Sequence, residues 1–144
     1  MKIAFIGGGN MASAIVGGLV GGGFKRSELL VVELDANART RLFSAYGVKA
    51  IEGPGEALAE ADVIVMAVKP HQMRDAARAI EPFIATPLVI TVAAGIRLAD
   101  LSRWLAGRDR LVRALPNTPA LVHAGITGRN WAAGRPTSPP AEPA

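Results

Sequence analysis

The first nineteen residues, MKIAFIGGGNMASAIVGGL, restrict this chain more than any other stretch. Ile3, Ala4, Phe5 and Ile6 make a short, unbroken apolar run, the pattern of a strand buried on both faces. Gly7, Gly8 and Gly9 follow without a spacer. A helix is then predicted from the 3.6-residue recurrence of Met11, Ala14, Ile15, Gly18 and Leu19, with Gly21, Gly22 and Gly23 ending it. The spacing Gly7-x-Gly9-x-x-Ala12 answers a separate steric demand at each small position. Gly7 permits a tight turn, Gly9 lets the backbone approach a ligand closely, and Ala12 lets the helix pack close to the strand. The N–H groups of the first helical turn have no partner within the helix and point outward, so they suit an anion such as a dinucleotide pyrophosphate.

Strand and helix patterns alternate from there on. Residues 29–33 form a second apolar run, buried apart from its last residue, Glu33. Residues 35–46 predict a helix with Leu42 and Phe43 inward, terminated by Gly47. Residues 48–51 suit an edge strand, and 54–61 predict one short helix with Pro54 at its first position, where the missing N–H costs nothing. Residues 63–68 are the other strongly buried strand; Pro70 stops it and opens a helix to about Ile80. Strands over 88–92 and 110–114, and a helix over 98–105 containing Leu101 and Trp104, complete the series. This order predicts an α/β fold, a doubly wound Rossmann-type sheet of about six mostly parallel strands with helices on both faces and right-handed crossovers. The expected organisation is one dinucleotide-binding domain over 1–128 and a disordered, proline-rich tail over 129–144, since NWAAGRPTSPPAEPA has four prolines and no periodic apolar face.

At 144 residues the chain has room for one sizeable core. Sixteen Lys and Arg against twelve Asp and Glu give a net charge of +4, but no basic run exceeds the pair Lys25-Arg26. A nucleic-acid footprint needs a contiguous basic face, so none is expected. The absence of cysteine excludes disulfides and thiolate chemistry. Only four apolar residues separate Lys2 from the glycines, which is too few for a secretory signal, and no apolar run approaches a membrane span. A soluble, cytoplasmic protein without a membrane partner is the expectation.

Glu33 follows Gly9 by 24 residues, near the spacing of about 20 at which a carboxylate accepts hydrogen bonds from an adenosine ribose. A carboxylate there, joined by Asp35, repels a 2′-phosphate and leans the cofactor toward NADH, while Arg39 and Arg41 would reach such a phosphate if the loop turned toward them. Lys69, Pro70 and His71 end a central strand at the edge where open sheets bind ligands. Pro70 suits a rigid wall beside a nicotinamide; Lys69 fits either an anion contact or a solvated strand end. His71 has no carboxylate at helical spacing to orient it, and His123 is equally isolated, so neither a catalytic residue nor a metal site is assigned. Arg113, Pro116, Asn117, Thr118 and Pro119 form a second polar island, in which the prolines restrict the backbone. Asn117 fits a hydrogen bond to a nicotinamide carboxamide or ribose, or else an Asx turn. Ser13 fits a phosphate contact or a packing surface.

Taken together, FIGGGNMASAIVGGL, AVKPHQM, VAAGI and RALPNTPALVHAG, in this order, make residues 1–128 resemble the nucleotide-binding half of a pyrroline-5-carboxylate reductase. The resemblance implies an amino-terminal dinucleotide-binding domain, followed in the family by an all-helical domain that forms homodimers and larger rings. It implies hydride transfer from NADPH or NADH to the cyclic imine 1-pyrroline-5-carboxylate, giving L-proline. It implies that Gly7, Gly9, Asn10, Met11 and Ala12 hold the pyrophosphate. Ala67, Val68, Lys69 and Pro70, with Ala93, Ala94 and Gly95, would line the cofactor channel, and Asn117 would reach the nicotinamide end. Glu33 and Asp35 stand where NADP-preferring members tend to carry a small polar or phosphate-friendly residue. Beyond Gly128 the family's helical domain, which holds much of the substrate, gives way here to the proline-rich tail, so a truncated chain with cofactor affinity and weak or no reductase activity is expected. Three other readings are a related dehydrogenase with a different substrate, a dinucleotide-binding module without chemistry, and a truncated product without a role of its own.

Overall fold

Strands of three or four residues, almost all apolar, fix the centre of the molecule. In the computed structural model, residues 1–114 are described. The strands are β1 (Ile3–Ile6), β2 (Leu29–Val32), β3 (Lys49–Ile51), β4 (Val63–Met66), β5 (Leu88–Thr91) and β6 (Leu111–Arg113). They form one sheet in the order β3-β2-β1-β4-β5-β6, and every neighbouring pair is parallel. Both faces are covered, as an all-parallel sheet requires. Alternation along the strands sorts the core into two layers. Ile3, Phe5, Val31, Val63, Val65 and Ile90 face α1 (Asn10–Gly21) and α2 (Ala36–Tyr46). Ala4, Ile6, Ile64, Met66, Val89 and Leu111 face α3 (Met73–Ile80) and α4 (Leu98–Trp104). This is the doubly wound Rossmann-type sheet that the alternation predicts.

Helix ends follow local chemistry. Asp35 caps α2, its side chain accepting from the Asn37 N–H at 3.1 Å. Gly47 closes the same helix in the left-handed region at φ 70, with its N–H on the Phe43 carbonyl at 2.8 Å. Asp35→Ala is expected to cost about 1 kcal/mol of stability, readable as a lowered midpoint in urea at unchanged slope. Pro70 opens a 3-10 turn, Pro70–Gln72, that leads into α3, as its position after β4 implies.

Three expectations are corrected in detail. Leu42 is buried, but Phe43 is 65% exposed. Consecutive residues lie about 100° apart on a helix, and the inward stripe runs through Ala38, Leu42 and Tyr46, which leaves Phe43 outside it. Residues 54–61 form a 3-10 turn, Glu56–Glu60, with Gly55 at its cap, so Pro54 precedes the turn. Leu58 and Ala61 are its only buried apolar anchors, too few to hold a longer α-helix. On α1 the buried stripe is Ala12, Ile15, Val16 and Leu19, with Gly18 exposed and Met11 at the margin. Burying the branched Val16 covers more apolar area than burying a glycine. Pro116, Asn117, Thr118, Pro119 and His123, the end of the expected domain and the tail over 129–144 lie outside the described residues. Among the described residues no helix is long and apolar enough to cross a membrane.

Candidate functional site

Parallel register brings the polar and glycine-rich segments to one edge. Ile6 is level with Val32 and Met66, and Met66 with Thr91, so these strands end in a row. The ladder runs one residue further: the Gly7 N–H donates to Val32 O at 2.8 Å, the Glu33 N–H to Ile51 O at 2.9 Å and the Ala67 N–H to Ile6 O at 2.8 Å. Gly7, Glu33 and Ala67 therefore leave the sheet side by side. Strand order reverses between β1 and β4, and a crevice opens at the carboxyl ends of strands at such a switch point.

The three consecutive glycines are not equivalent. Gly7 has φ +99, and a methyl group on it would lie 3.0 Å from Val68 Cγ1 and 3.1 Å from the carbonyl carbon and oxygen of Ala67. The β1–α1 and β4–α3 turns thus touch at Gly7, which closes the floor of the crevice. Gly9 is exposed, has φ −77 and is the cap residue of α1; a methyl group there would meet nothing within 4 Å. No side chain caps α1, and its first turn holds no acidic residue. Twelve residues of aligned peptide dipoles therefore end at Gly9 facing open space, in surroundings that favour an anion. Asn10 is exposed, Met11 half-buried and Ala12 fully buried against the core. Ser13 is half-buried, and its N–H makes the first helical bond to Gly9 O at 2.9 Å.

Gly8, the middle glycine, is buried and carries a role that the fingerprint spacing does not announce. Its N–H donates to Glu33 Oε1 at 2.6 Å, and the other carboxylate oxygen accepts from the Asp35 N–H at 2.9 Å. Glu33 is half-buried and held against the glycine turn by both oxygens. A carboxylate has about four acceptor positions; two are occupied, and two remain for donors arriving from the crevice. Arg39 Nη1 donates to Glu33 O at 2.8 Å and to Leu34 O at 2.9 Å, which pins the β2–α2 turn from behind. Arg39 thus holds backbone carbonyls, and Arg41 is exposed on α2. Leu34, between Glu33 and Asp35, is 78% exposed.

The far side of the crevice is built from small or rigid residues. Ala67 and Val68 are half-buried, and Lys69, Pro70 and His71 are exposed at the end of β4. Gln72 folds back so that its N–H donates to Lys69 O at 2.9 Å and its side-chain oxygen accepts from the Lys69 N–H at 3.3 Å. Beyond β5, Ala93 is buried while Ala94 and Gly95 are exposed, and Gly95 takes φ +80. The buried Thr91 hydroxyl accepts from the Ala93 N–H at 3.3 Å, and Arg113 donates to Ile96 O at 2.7 Å, fixing both ends of this loop. Gly7, Gly9, Glu33, Ala67 to Pro70 and Ala93 to Gly95 lie along this edge, Asn10, Met11 and Ala12 lie in the first turn of α1, and Arg39 and Arg41 lie on α2.

Residues 2–95 match the family model described as NADP oxidoreductase, coenzyme F420-dependent. The pyrroline-5-carboxylate reductase of Pseudomonas aeruginosa is 38% identical over 128 residues, covering 88% of this chain and 47% of the relative. Among solved structures, a pyrroline-5-carboxylate reductase from Coxiella burnetii superposes with a TM-score of 0.76 at 35% identity, over 85% of this chain and 46% of the other. The Plasmodium falciparum pyrroline carboxylate reductase, solved with NADP bound, gives a TM-score of 0.71 at 25% identity, over 85% and 44%. This chain spans about half the length of the curated relatives it matches.

Proposed function

We propose a function from one premise: this chain belongs to the family described as NADP oxidoreductase, coenzyme F420-dependent, and is an amino-terminal dinucleotide-binding domain resembling that of the pyrroline-5-carboxylate reductases. In our reading, these residues are the cofactor half of a reductase that takes 1-pyrroline-5-carboxylate to L-proline. The observation that carries it is the open, uncapped start of α1 at Gly9, flanked by the tethered Glu33 carboxylate at a sheet switch point. A helix start with open space at Gly9, beside a carboxylate with two acceptor positions left over, fits a pyrophosphate joined to a ribose.

The amides in the first turn of α1, from Asn10, Met11 and Ala12, receive the pyrophosphate, with Gly9 giving it room. The Gly8 N–H is engaged by Glu33, so it is not among these donors. Glu33 accepts from the two ribose hydroxyls and opposes a 2′-phosphate. Unit charges about 4 Å apart near a protein surface repel by about 1 to 4 kcal/mol, a preference for NADH on the order of tenfold to several hundredfold. Ala67, Val68, Lys69 and Pro70, with Ala93, Ala94 and Gly95, would line the channel, and the family resemblance gives Asn117 the nicotinamide end. The bound nicotinamide supplies the hydride for the imine carbon. The imine must also be held with its nitrogen protonated and its carboxylate fixed, and much of the rate comes from that placement.

A polypeptide of these 144 residues is therefore expected to bind NADH more tightly than NADPH and to reduce pyrroline-5-carboxylate far below about 1 per second, the low end of ordinary turnover. Titration calorimetry with each cofactor and a steady-state assay with the imine check both statements. Failure to bind either dinucleotide would overturn the reading, and full turnover would overturn its division of labour.

A further inference from the structure

We propose that Gly8 is a selector of the cofactor's ribose, acting as a positioning residue through Glu33. This inference rests on the dinucleotide reading above and adds the reason Glu33 can act. Glu33 and Gly8 come from neighbouring strand ends, and the carboxylate reaches the Gly8 N–H at 2.6 Å because no side chain stands between them. A methyl group at position 8 would lie 3.2 Å from both Glu33 Cβ and Glu33 Oε1, and 2.9 Å from Leu42 Cδ1. Leu42 is buried in the core, and the Glu33 backbone is fixed by its bond to Ile51 O and by Arg39 on its own carbonyl. With the Glu33 backbone held, the end of the Leu42 side chain and the carboxylate are the parts that yield. Alanine at position 8 lifts the carboxylate from the turn and displaces it from the ribose. Gly8 shows no positive φ, so its requirement comes from this contact and not from its backbone angle.

The pair works as a lock only when both members are present. A carboxylate held by the Gly8 and Asp35 amides offers its remaining acceptor positions at a fixed place, and two hydroxyls satisfy them where a phosphate cannot. Removing the carboxylate leaves Gly8 with nothing to position.

The test is a double-mutant cycle between Gly8→Ala and Glu33→Ser, reading the dissociation constants of NADH and NADPH by fluorescence titration. Gly8→Ala is expected to weaken NADH by about tenfold, the loss of a well-placed charged acceptor, and to tighten NADPH, because the displaced carboxylate no longer opposes the 2′-phosphate. In the Glu33→Ser background the same substitution is expected to change neither cofactor by more than about twofold, the size of coupling error in such cycles. Leu42→Val removes the atom nearest the new methyl group, so the cycle is repeated in that background if Gly8→Ala alone does not fold. Equal weakening of both cofactors, or the same tenfold loss without Glu33, overturns the proposal by reducing Gly8 to a packing residue. An unmodified chain that binds no dinucleotide overturns the functional reading and this inference together, whereas equal losses in a chain that binds NADH overturn this inference alone.

Discussion

Gly9→Asp is expected to raise the thermal stability of the domain and to weaken NADH binding by at least about a hundredfold. The two effects have one origin. Gly9 sits at the cap of α1 in an extended conformation, φ −77 and ψ −161, that any residue adopts, and open space lies where its side chain would be. Aspartate is among the preferred residues at this position because its oxygen accepts from N–H groups of the first turn and its charge complements the helix dipole. Replacing glycine by aspartate there is worth a few tenths to about 1 kcal/mol of stability. The same oxygen occupies donors that the pyrophosphate needs and sets a negative charge against it. Losing one charge-assisted hydrogen bond costs about 1.5 to 3 kcal/mol, and repulsion adds about 1 to 4 kcal/mol; a hundredfold corresponds to about 2.7 kcal/mol. Differential scanning calorimetry and NADH titration on the same preparation give the two signs. Unaltered affinity would move the pyrophosphate away from α1.

What the sequence discloses and what it conceals divide along a physical line. Strand positions are legible because a parallel sheet covered on both faces demands unbroken apolar runs, and Ile3–Ile6, Val63–Met66 and Leu88–Thr91 have few other places to go. Glu33 is legible because strand ends in register bring it beside Gly7. The role of Gly8 is not, since it arises from an approach between residues 25 apart that leaves no mark on local spacing. Arg39 is visible as a charge six residues after Glu33, yet only the folded turn directs its guanidinium to the carbonyls of Glu33 and Leu34. The choice between Leu42 and Phe43 is likewise made by the rotation of α2, fixed by Ala38 and Tyr46 on either side. A run of adjacent apolar residues does not carry that information. Pro54 misleads for a different reason: a proline able to start a helix does not supply the buried face that keeps one.

Gly7→Ala is expected to destabilise the domain by about 2 to 6 kcal/mol, because two penalties meet at one residue. Its φ of +99 lies in a region that costs a residue with a Cβ about 1 to 3 kcal/mol. The new methyl group would also press on Ala67 backbone atoms at 3.1 Å, and overpacking of that type costs a further 1 to 3 kcal/mol, roughly. Ala67 is held by its own ladder bond to Ile6 O, so it yields only if the β1–β4 pair moves. Gly95 separates the two terms. It has a comparable φ of +80 but open space around it, so Gly95→Ala incurs the conformational cost alone. For a domain near this size each kcal/mol lowers the melting temperature by about 4 °C. Gly7→Ala should therefore melt about 10 °C or more below the parent, and several degrees below Gly95→Ala. Equal melting temperatures for the two variants would mean that the β4–α3 turn relaxes freely around Gly7. The crevice at the switch point would then have a yielding floor, with the strand ends rather than the turns setting its shape.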